Sequence, residues 1–309
     1  MSCRHSRPRV VWRKVFYLVN YRGPYNDMTP ILSIIIVSWN VRALLEKCLA
    51  SLAQDLTPAP SSKEREVSTE VIVVDNASTD GTTEWLRSLQ LTTYNLQLTT
   101  NTTNRGFAAA NNQGMRATMG EYVLLLNPDT ELRPHALDTM VIFMQSHPRC
   151  GIVGPKLLNR DGTVQPSVRR FPDAWGPILL SLGMAPQRYL ATNFDYKKAQ
   201  TVDQVMGACF LIRRALIEDI GLLDEKFFIW FEEVDYCKRA KSAGWEVWYT
   251  PDASIVHHGG KSFSQQRTLQ KQWWYSKSLL YYFWKHRQWG AWFLNALTVP
   301  LRLLLRAWK

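Results

Sequence analysis

The chain has 309 residues, 46% of them apolar, with a formal net charge of +11. That size admits one large α/β domain with an extension and excludes two full-size domains joined by linkers. Residues 1–27 carry six Arg/Lys against one acid and residues 261–309 carry nine against none, so the middle is mildly acidic; a nucleic-acid binder would carry its excess on the folded face, whereas basic tails suit an anionic membrane surface.

Residues 1–27 read as a basic leader, and Met28-Thr29-Pro30 looks like a plausible initiator just before the first strand. Within the leader, 10–19 (VVWRKVFYLV) is broken by Arg13 and Lys14 and lacks a small-residue cleavage site, so no cleavable signal peptide is read there. Residues 31–39 (ILSIIIVSW) form a continuous apolar, β-branched run, a buried strand. An amphipathic helix follows over 42–53, with Leu44, Leu45, Cys48, Leu49 and Leu52 on one face. A Pro/Ser/charge-rich surface loop at 57–70 leads to a second buried strand, EVIVVD, at 70–75. Further on come a helix from Thr82 to Leu89, a short strand at 95–99, a helix at 107–119, a strand at 121–127 and a helix from His135 to Gln145. Alternation at this spacing predicts an α/β fold with a mostly parallel central sheet, helices on both faces, and ligands at the carboxyl ends of the strands. The second half is less regular: strands over 202–213 and 246–257, and a helix over 233–243 ending at Gly244.

The tail at 261–309 is basic and Trp-rich. Residues 273–309 hold six of the thirteen Trp, interleaved with Lys277, Lys285, Arg287, Arg302, Arg306 and Lys309. This pattern predicts amphipathic helices lying at the headgroup level of a membrane, or packing their aromatics on the catalytic domain. The segment 290–305 is too short, and too interrupted by Asn295, Pro300 and Arg302, to be read as a membrane span. Five cysteines, Cys3, Cys48, Cys150, Cys209 and Cys237, show no CxxC spacing. That argues against a disulfide framework or a zinc site and for a reducing compartment.

Polar clusters follow the strand ends. Ser38-Trp39-Asn40 comes after the first strand and Asp75-Asn76-Ala77-Ser78-Thr79-Asp80-Gly81 after the second. These residues are turn chemistry; alternatively, Asp75 accepts a hydrogen bond from a nucleotide base. Asn104-Arg105-Gly106-Phe107 precedes Asn111, Asn112 and Gly114. Gly106 would allow close backbone approach to a ligand and Arg105 would face phosphate at a helix start, or the segment is a plain cap. Asn127-Pro128-Asp129 ends an apolar strand. There Asp129 either coordinates a divalent cation, for which hard oxygen suits Mg2+ or Mn2+, or caps the next helix. Glu232, Glu233 and Asp235 follow the aromatics Phe227, Phe228, Trp230 and Phe231. They are candidate bases with raised pKa, or an acidic helix N-terminus. His257, after the last strand, is a metal ligand or a structural histidine.

The ordered series IIIVSWN, VIVVDNASTDGT, NRGFAAANNQG, YVLLLNPDT, GACFLIRR, FEEVDYCKRAKSAGW and IVHHGG, spanning about residues 31–260, resembles inverting glycosyltransferase family 2, closest to its bacterial rhamnosyltransferase-like branch. The resemblance implies a GT-A fold over 28–260, with a nucleotide-binding half at about 31–130 and an acceptor half at about 131–260. It implies that Asp75 reads a pyrimidine with help from Ser38–Asn40, and that Arg105, Gly106 and Asn112 line the nucleotide-sugar pocket. Asp129 matches the last acid of the family's metal-binding motif, while Asn127 stands where many members carry Asp. By the same resemblance His257 would be a further ligand for Mg2+ or Mn2+, Glu233 the base with Glu232 as fallback, and Asp235 would orient base or acceptor. The resemblance also implies a dTDP- or UDP-sugar donor, dTDP-rhamnose foremost, and a glycan or lipid-linked glycan of the cell envelope as acceptor. The enzyme is expected in the cytoplasm, peripheral on the inner face of a bacterial membrane, with no nucleic acid as partner. A non-catalytic nucleotide-sugar binder would be expected to lose an acid at 129 or 233, and both are kept. A nucleotidyltransferase would want a Gly-rich basic loop after the first strand, where SWNVRALL stands.

Overall fold

The computed structural model describes residues 30–56, 68–90, 96–259 and 268–307. The leader 1–27, Met28, most of the expected 57–70 loop, Gly260 and Cys3 lie outside the described residues. The first half alternates as expected: β1 (Leu32–Ser38), α1 (Arg42–Asp55), β2 (Thr69–Asp75), α2 (Thr82–Gln90), β3 (Leu96–Thr100), α3 (Phe107–Ala117) and β4 (Tyr122–Leu126). The second half begins with β5 (Thr130–Leu132), α4 (Ala136–Ser146), β6 (Cys150–Leu158), β7 (Val168–Arg169), α5 (Gly176–Ser181) and α6 (Gln187–Leu190). It continues through β8 (Gln200–Thr201), β9 (Gln204–Val205), β10 (Cys209–Arg213), α7 (Arg214–Ile220), α8 (Glu232–Ser242) and β11 (Glu246–His257). Two helices close the described chain, α9 (Thr268–Lys285) and α10 (Trp289–Ala307).

One nine-stranded sheet runs in the order β3-β2-β1-β4-β10-β6-β11-β5, with β8 also on β11. Pairing is parallel among β1, β2, β3 and β4 and between β6 and β11. By contrast β10 is antiparallel to both neighbours, and β5 and β8 are antiparallel to β11. The sheet is therefore mixed and mostly parallel. The single strand expected over 202–213 is interrupted: β9 pairs with β7 in a small second sheet, and only β10 joins the main one. Between them, Met206–Ala208 leaves the strands and faces the cleft.

Strand alternation explains the two-sided core. Leu32, Ile34 and Ile36 of β1 pack with Leu45, Cys48 and Leu52 of α1, and with α4, on one face. Ile35 turns to the other face, against Ala108 and Met115 of α3. Each fully buried Leu or Ile contributes about 1.5–3 kcal/mol. Gly114 lets α3 lie close: a Cβ there would sit 2.5 Å from Ile35 Cγ2. The described cysteines, Cys48, Cys150, Cys209 and Cys237, are buried free thiols, consistent with their apolar surroundings.

Of the two arrangements its pattern allowed, the tail shows the packing of its aromatics on the catalytic domain. Leu279, Tyr282 and Phe283 of α9 are buried against Phe227, Phe231 and Val234. Ser278 Oγ donates to Ile229 O at 2.8 Å and Tyr281 Oη to Asp224 Oδ2 at 2.8 Å. Outward, α10 exposes Trp289, Phe293, Leu297, Leu301 and Leu304, about one helical turn apart. Among the described residues no helix is long and apolar enough to cross a membrane.

Asp235 fastens α9 to α8. It is 0% exposed, and accepts from Arg239 Nε, Lys285 Nζ and His286 Nε2, each at 2.9 Å. Burial alone would raise its pKa, but the His286 bond and the Lys285 charge outweigh it and hold the carboxyl below the usual range. A depressed carboxylate adds stability above the ordinary Asp range and loses it as pH falls through the folded pKa. Removing one partner of such a network strands the buried cations. Asp235→Ala is expected to lower unfolding free energy by about 3 kcal/mol in chemical denaturation at pH 7. An unchanged midpoint would contradict this role.

Candidate active site

At the carboxyl edge of the parallel strands, an open cleft of about 340 Å³ is walled by Trp39, Asn76, Asn104, Asp129, Glu232 and Glu233, among others. Its first wall is made by the loops after β1 and β2. Asn40, at φ +53°, accepts from Thr79 N at 2.7 Å, and its own N–H donates to Ser78 Oγ at 3.0 Å, stapling the loops together. Asp75 closes its own loop, accepting from Ser78 N at 3.2 Å and from Thr83 Oγ1. The turn alternative thus describes what Asp75 and Asn40 do in this conformation. Ser38 is buried, and its Oγ has no partner among the described residues. The residues of this region that line the cleft are Val37, Trp39 and Asn76. Asn76 is the hub: its Nδ2 donates to Asn104 Oδ1 at 2.9 Å, while its Oδ1 accepts from Arg105 N at 3.0 Å.

Gly106 stands where backbone passes backbone. Its φ is +84°, and a Cβ would lie 2.4 Å from Phe228 O. Phe107 N donates to that same carbonyl at 2.7 Å, so the 227–231 loop is seated on the start of α3. The resemblance placed three further side chains here that the structure places elsewhere. Arg105 is exposed, with its charge felt at Glu225; Asn104 and Gly106 take the wall instead. Asn112 is buried and bound to Leu223 O at 2.8 Å, Leu223 N at 3.1 Å and Glu225 Oε1 at 3.0 Å, fixing α3 to the 223–225 segment. Asp235 faces α9 and does not line the cleft.

Asn127 and Asp129 line the floor. Asn127 N donates to Ala208 O at 2.9 Å, extending the β4–β10 pairing into the site. Asp129 Oδ1 lies 3.4 Å from His257 Nε2, and both groups are buried. His257 Nδ1 lies 2.7 Å from Gln165 Oε1. Gln165 Nε2 donates to Asn159 Oδ1 at 3.1 Å, which fixes the amide orientation. The imidazole therefore donates from Nδ1 and leaves Nε2 as the ring atom facing Asp129, the arrangement that orients a metal-ligating histidine. Neighbouring His258 instead links Glu131 Oε1 at 2.6 Å to Arg160 Nε at 2.6 Å. A carboxylate oxygen and an imidazole nitrogen at this spacing fit Mg2+ or Mn2+, provided other ligands come from phosphate or water. No group of three or more His, Cys, Asp or Glu arranged for a metal occurs among the described residues. The protein thus offers a partial set.

Opposite stand the acids at the start of α8. Burial, reinforced by the Glu233 charge, pushes the Glu232 pKa well above the usual carboxylate range. Burial also raises Glu233, opposed by backbone N–H groups and the Arg169 guanidinium. Oε2 of each is buried without a partner among the described residues. Two adjacent buried carboxyls do not ionise independently, and burial pushes both upward. Arg169, Tyr189, Gln204 and Tyr275 complete this end. None carried a sequence signal, because they reach the cleft from β7, α6, β9 and α9.

The family model for Glycosyl transferase family 2 matches residues 33–221. An N-acetylglucosaminyl-diphospho-decaprenol L-rhamnosyltransferase of Mycobacterium tuberculosis is 30% identical over 254 residues, 76% of this chain and 78% of the relative. The low-salt glycan biosynthesis hexosyltransferase Agl10 of Haloferax volcanii is 28% identical over 193 residues, 61% of this chain and 59% of the relative. Among solved structures, GalNAc-T7 with UDP, GalNAc and Mn2+ superposes with TM-score 0.57 at 17% identity, covering 76% of this chain and 45% of that one. S. aureus TarS 1–349 with UDP gives TM-score 0.52 at 18% identity, covering 82% and 66%. These likenesses bear out the expected GT-A fold. The chain is a glycosyltransferase and belongs to glycosyl transferase family 2.

Proposed function

We propose that the chain transfers a sugar, with inversion, from a pyrimidine nucleoside diphosphate to a glycan or lipid-linked glycan of the cell envelope. The observation that carries this reading is the shared cleft, with the Asp129–His257 pair on one side and the buried Glu232–Glu233 pair on another. The acceptor hydroxyl gives its proton to Glu233 as its oxygen bonds to the anomeric carbon, and the bond from that carbon to the diphosphate oxygen breaks. Protonated Glu232 keeps the second negative charge out of the pocket. Asn76, Asn104 and Trp39 position the nucleotide. Mg2+ or Mn2+, held by Asp129 and His257, would supply charge neutralisation for the leaving diphosphate.

The donor is taken to be dTDP-rhamnose, on the strength of the mycobacterial relative. A UDP-sugar is the second reading, favoured by two neighbours solved with UDP. Product release measured against a panel of nucleotide sugars separates them. The enzyme would work in the cytoplasm on the inner face of the membrane, with the apolar outer face of α10 against lipid.

Glu233→Gln is expected to lower kcat about 100-fold or more while leaving nucleoside diphosphate affinity within about twofold. A base must be deprotonated, so wild-type kcat/KM should fall as pH drops through a limb lying above the ordinary Glu range. Near-normal turnover by the variant would remove Glu233 from this role. Chelation by EDTA should abolish activity, with recovery on adding Mn2+, and His257→Ala should raise the Mn2+ requirement about tenfold or more. Full activity in EDTA would contradict the metal assignment. Phe293→Asp with Leu297→Asp should reduce co-sedimentation with phosphatidylglycerol vesicles, and equal sedimentation would defeat the α10 docking proposal.

A further inference from the structure

The helix α9 reaches the cleft as well as packing beneath it. Two of its side chains, Trp274 and Tyr275, line the wall, and both are half-buried. They meet different rings of the 227–231 loop. Trp274 pairs with Phe228 at 4.9 Å between ring centroids, and Phe228 packs on Gly106 of the nucleotide wall. Tyr275 instead lies 6.1 Å from Trp230 and 5.4 Å from Phe231, the two residues just before Glu232 and Glu233. The Trp230 and Tyr275 rings meet at 71°. Both line the cleft and neither is fully covered, so they form an aromatic corner at the end that holds the acids.

Holding Trp230 there takes an uncommon backbone. Trp230 and Phe231 have φ of +63° and +72°, the left-handed region that bulky residues rarely enter. The stretch is fixed on both sides: Ser278 Oγ donates to Ile229 O at 2.8 Å, and Asp235 N donates to Phe231 O at 2.8 Å. Strain of this kind persists where the surroundings over-determine it, and it gathers at ligand sites. Core packing does not account for it at Trp230, whose ring is left half-buried against the cleft.

The face of an aromatic ring carries partial negative charge and attracts the polarised C–H groups on the apolar face of a pyranose. A few polar groups beside such rings then orient the hydroxyls. An alkyl chain would suit the rings but would press hydrocarbon on the two carboxyls. The acceptor hydroxyl must come within hydrogen-bond reach of the base, so the sugar that bears it lies beside Glu233. We propose that Trp230 and Tyr275 form a stacking subsite for the pyranose ring of the acceptor, with α9 completing the active cleft. The inference rests on Glu233 as the base in the reading above. It makes this part of the tail a substrate-binding element besides a packing one.

Saturation-transfer NMR on the full chain, loaded with thymidine diphosphate and Mn2+, tests this with the methyl β-glycosides of glucose, galactose and N-acetylglucosamine as probes. Irradiating the aromatic protons should transfer saturation to at least one glycoside, most strongly to the ring protons of one face. Trp230→Ala and Tyr275→Ala should each cut that transfer about fivefold or more, and Trp230→Phe should keep part of it. Trp273→Ala, at an exposed α9 position that does not line the cleft, should leave it unchanged. Thymidine diphosphate affinity should be the same in every variant. Where Trp230→Ala fails to fold, as its Tm would report, Tyr275→Ala and Trp230→Phe decide. The subsite is overturned by no transfer to any glycoside in the wild type, by transfer confined to the methyl aglycone, or by wild-type transfer in the alanine variants. Loss of nucleotide affinity in those variants would assign the corner to the donor and overturn it as well. Unslowed turnover by Glu233→Gln, with the transfer signals intact, would defeat the base assignment and leave the stacking subsite standing.

Discussion

Charge withdrawn from water must be neutralised by a counter-charge, a proton or a ligand, and this chain buries charge at several points around one cleft. Each is handled differently. Asp235 takes three cationic donors and becomes a fastening between α8 and α9. Glu232 is pushed toward its neutral form by burial and the Glu233 charge. Asp129 faces a histidine whose tautomer is fixed by Gln165. Glu233 sits between burial and the Arg169 charge, so its proton affinity is raised without being locked. That difference separates a structural acid from the proposed base: same helix, two residues apart, opposite environments.

The sheet explains why these groups meet. Parallel β1, β2 and β4 end together, and antiparallel β10 enters beside β4 from the opposite direction. The break before β10 therefore delivers Met206–Ala208 to the same edge as Asn127–Asp129. Gly207 lies beside Glu233: an added Cβ would sit in ordinary contact, 3.6 Å from the Glu233 side chain. The Phe228 carbonyl, bound to Phe107 N across Gly106, then carries the aromatic loop and its two glutamates over the cleft.

Much of this was legible in sequence. Continuous apolar runs identified β1, β2 and β4 within a residue, because burial leaves no polar alternation. In contrast β6 carries Gly151, Gly154 and Pro155, which hide a strand from composition. Local motifs singled out Asp129, His257, Glu232 and Glu233, which all line the cleft. Arg105, Asn112 and Asp235, singled out in the same way, do not line it, because a motif gives order along the chain, not which way a side chain points. Only the Lys285 and His286 positions, fifty residues downstream of Asp235, reveal that this acid belongs to the tail. Arg302, read as an interruption of an apolar segment, is buried inward for a comparable reason.

The central claim is that the donor's diphosphate lies on the Asp129–His257 side of a cleft whose other side carries Glu233. Manganese anomalous scattering from crystals soaked with Mn2+ and thymidine diphosphate tests it most directly. The account predicts a peak touching Asp129 and His257, bridged to the nucleotide phosphates, with Glu233 left free across the cleft. A peak elsewhere, or nucleotide bound with Mn2+ against Glu233, would contradict it.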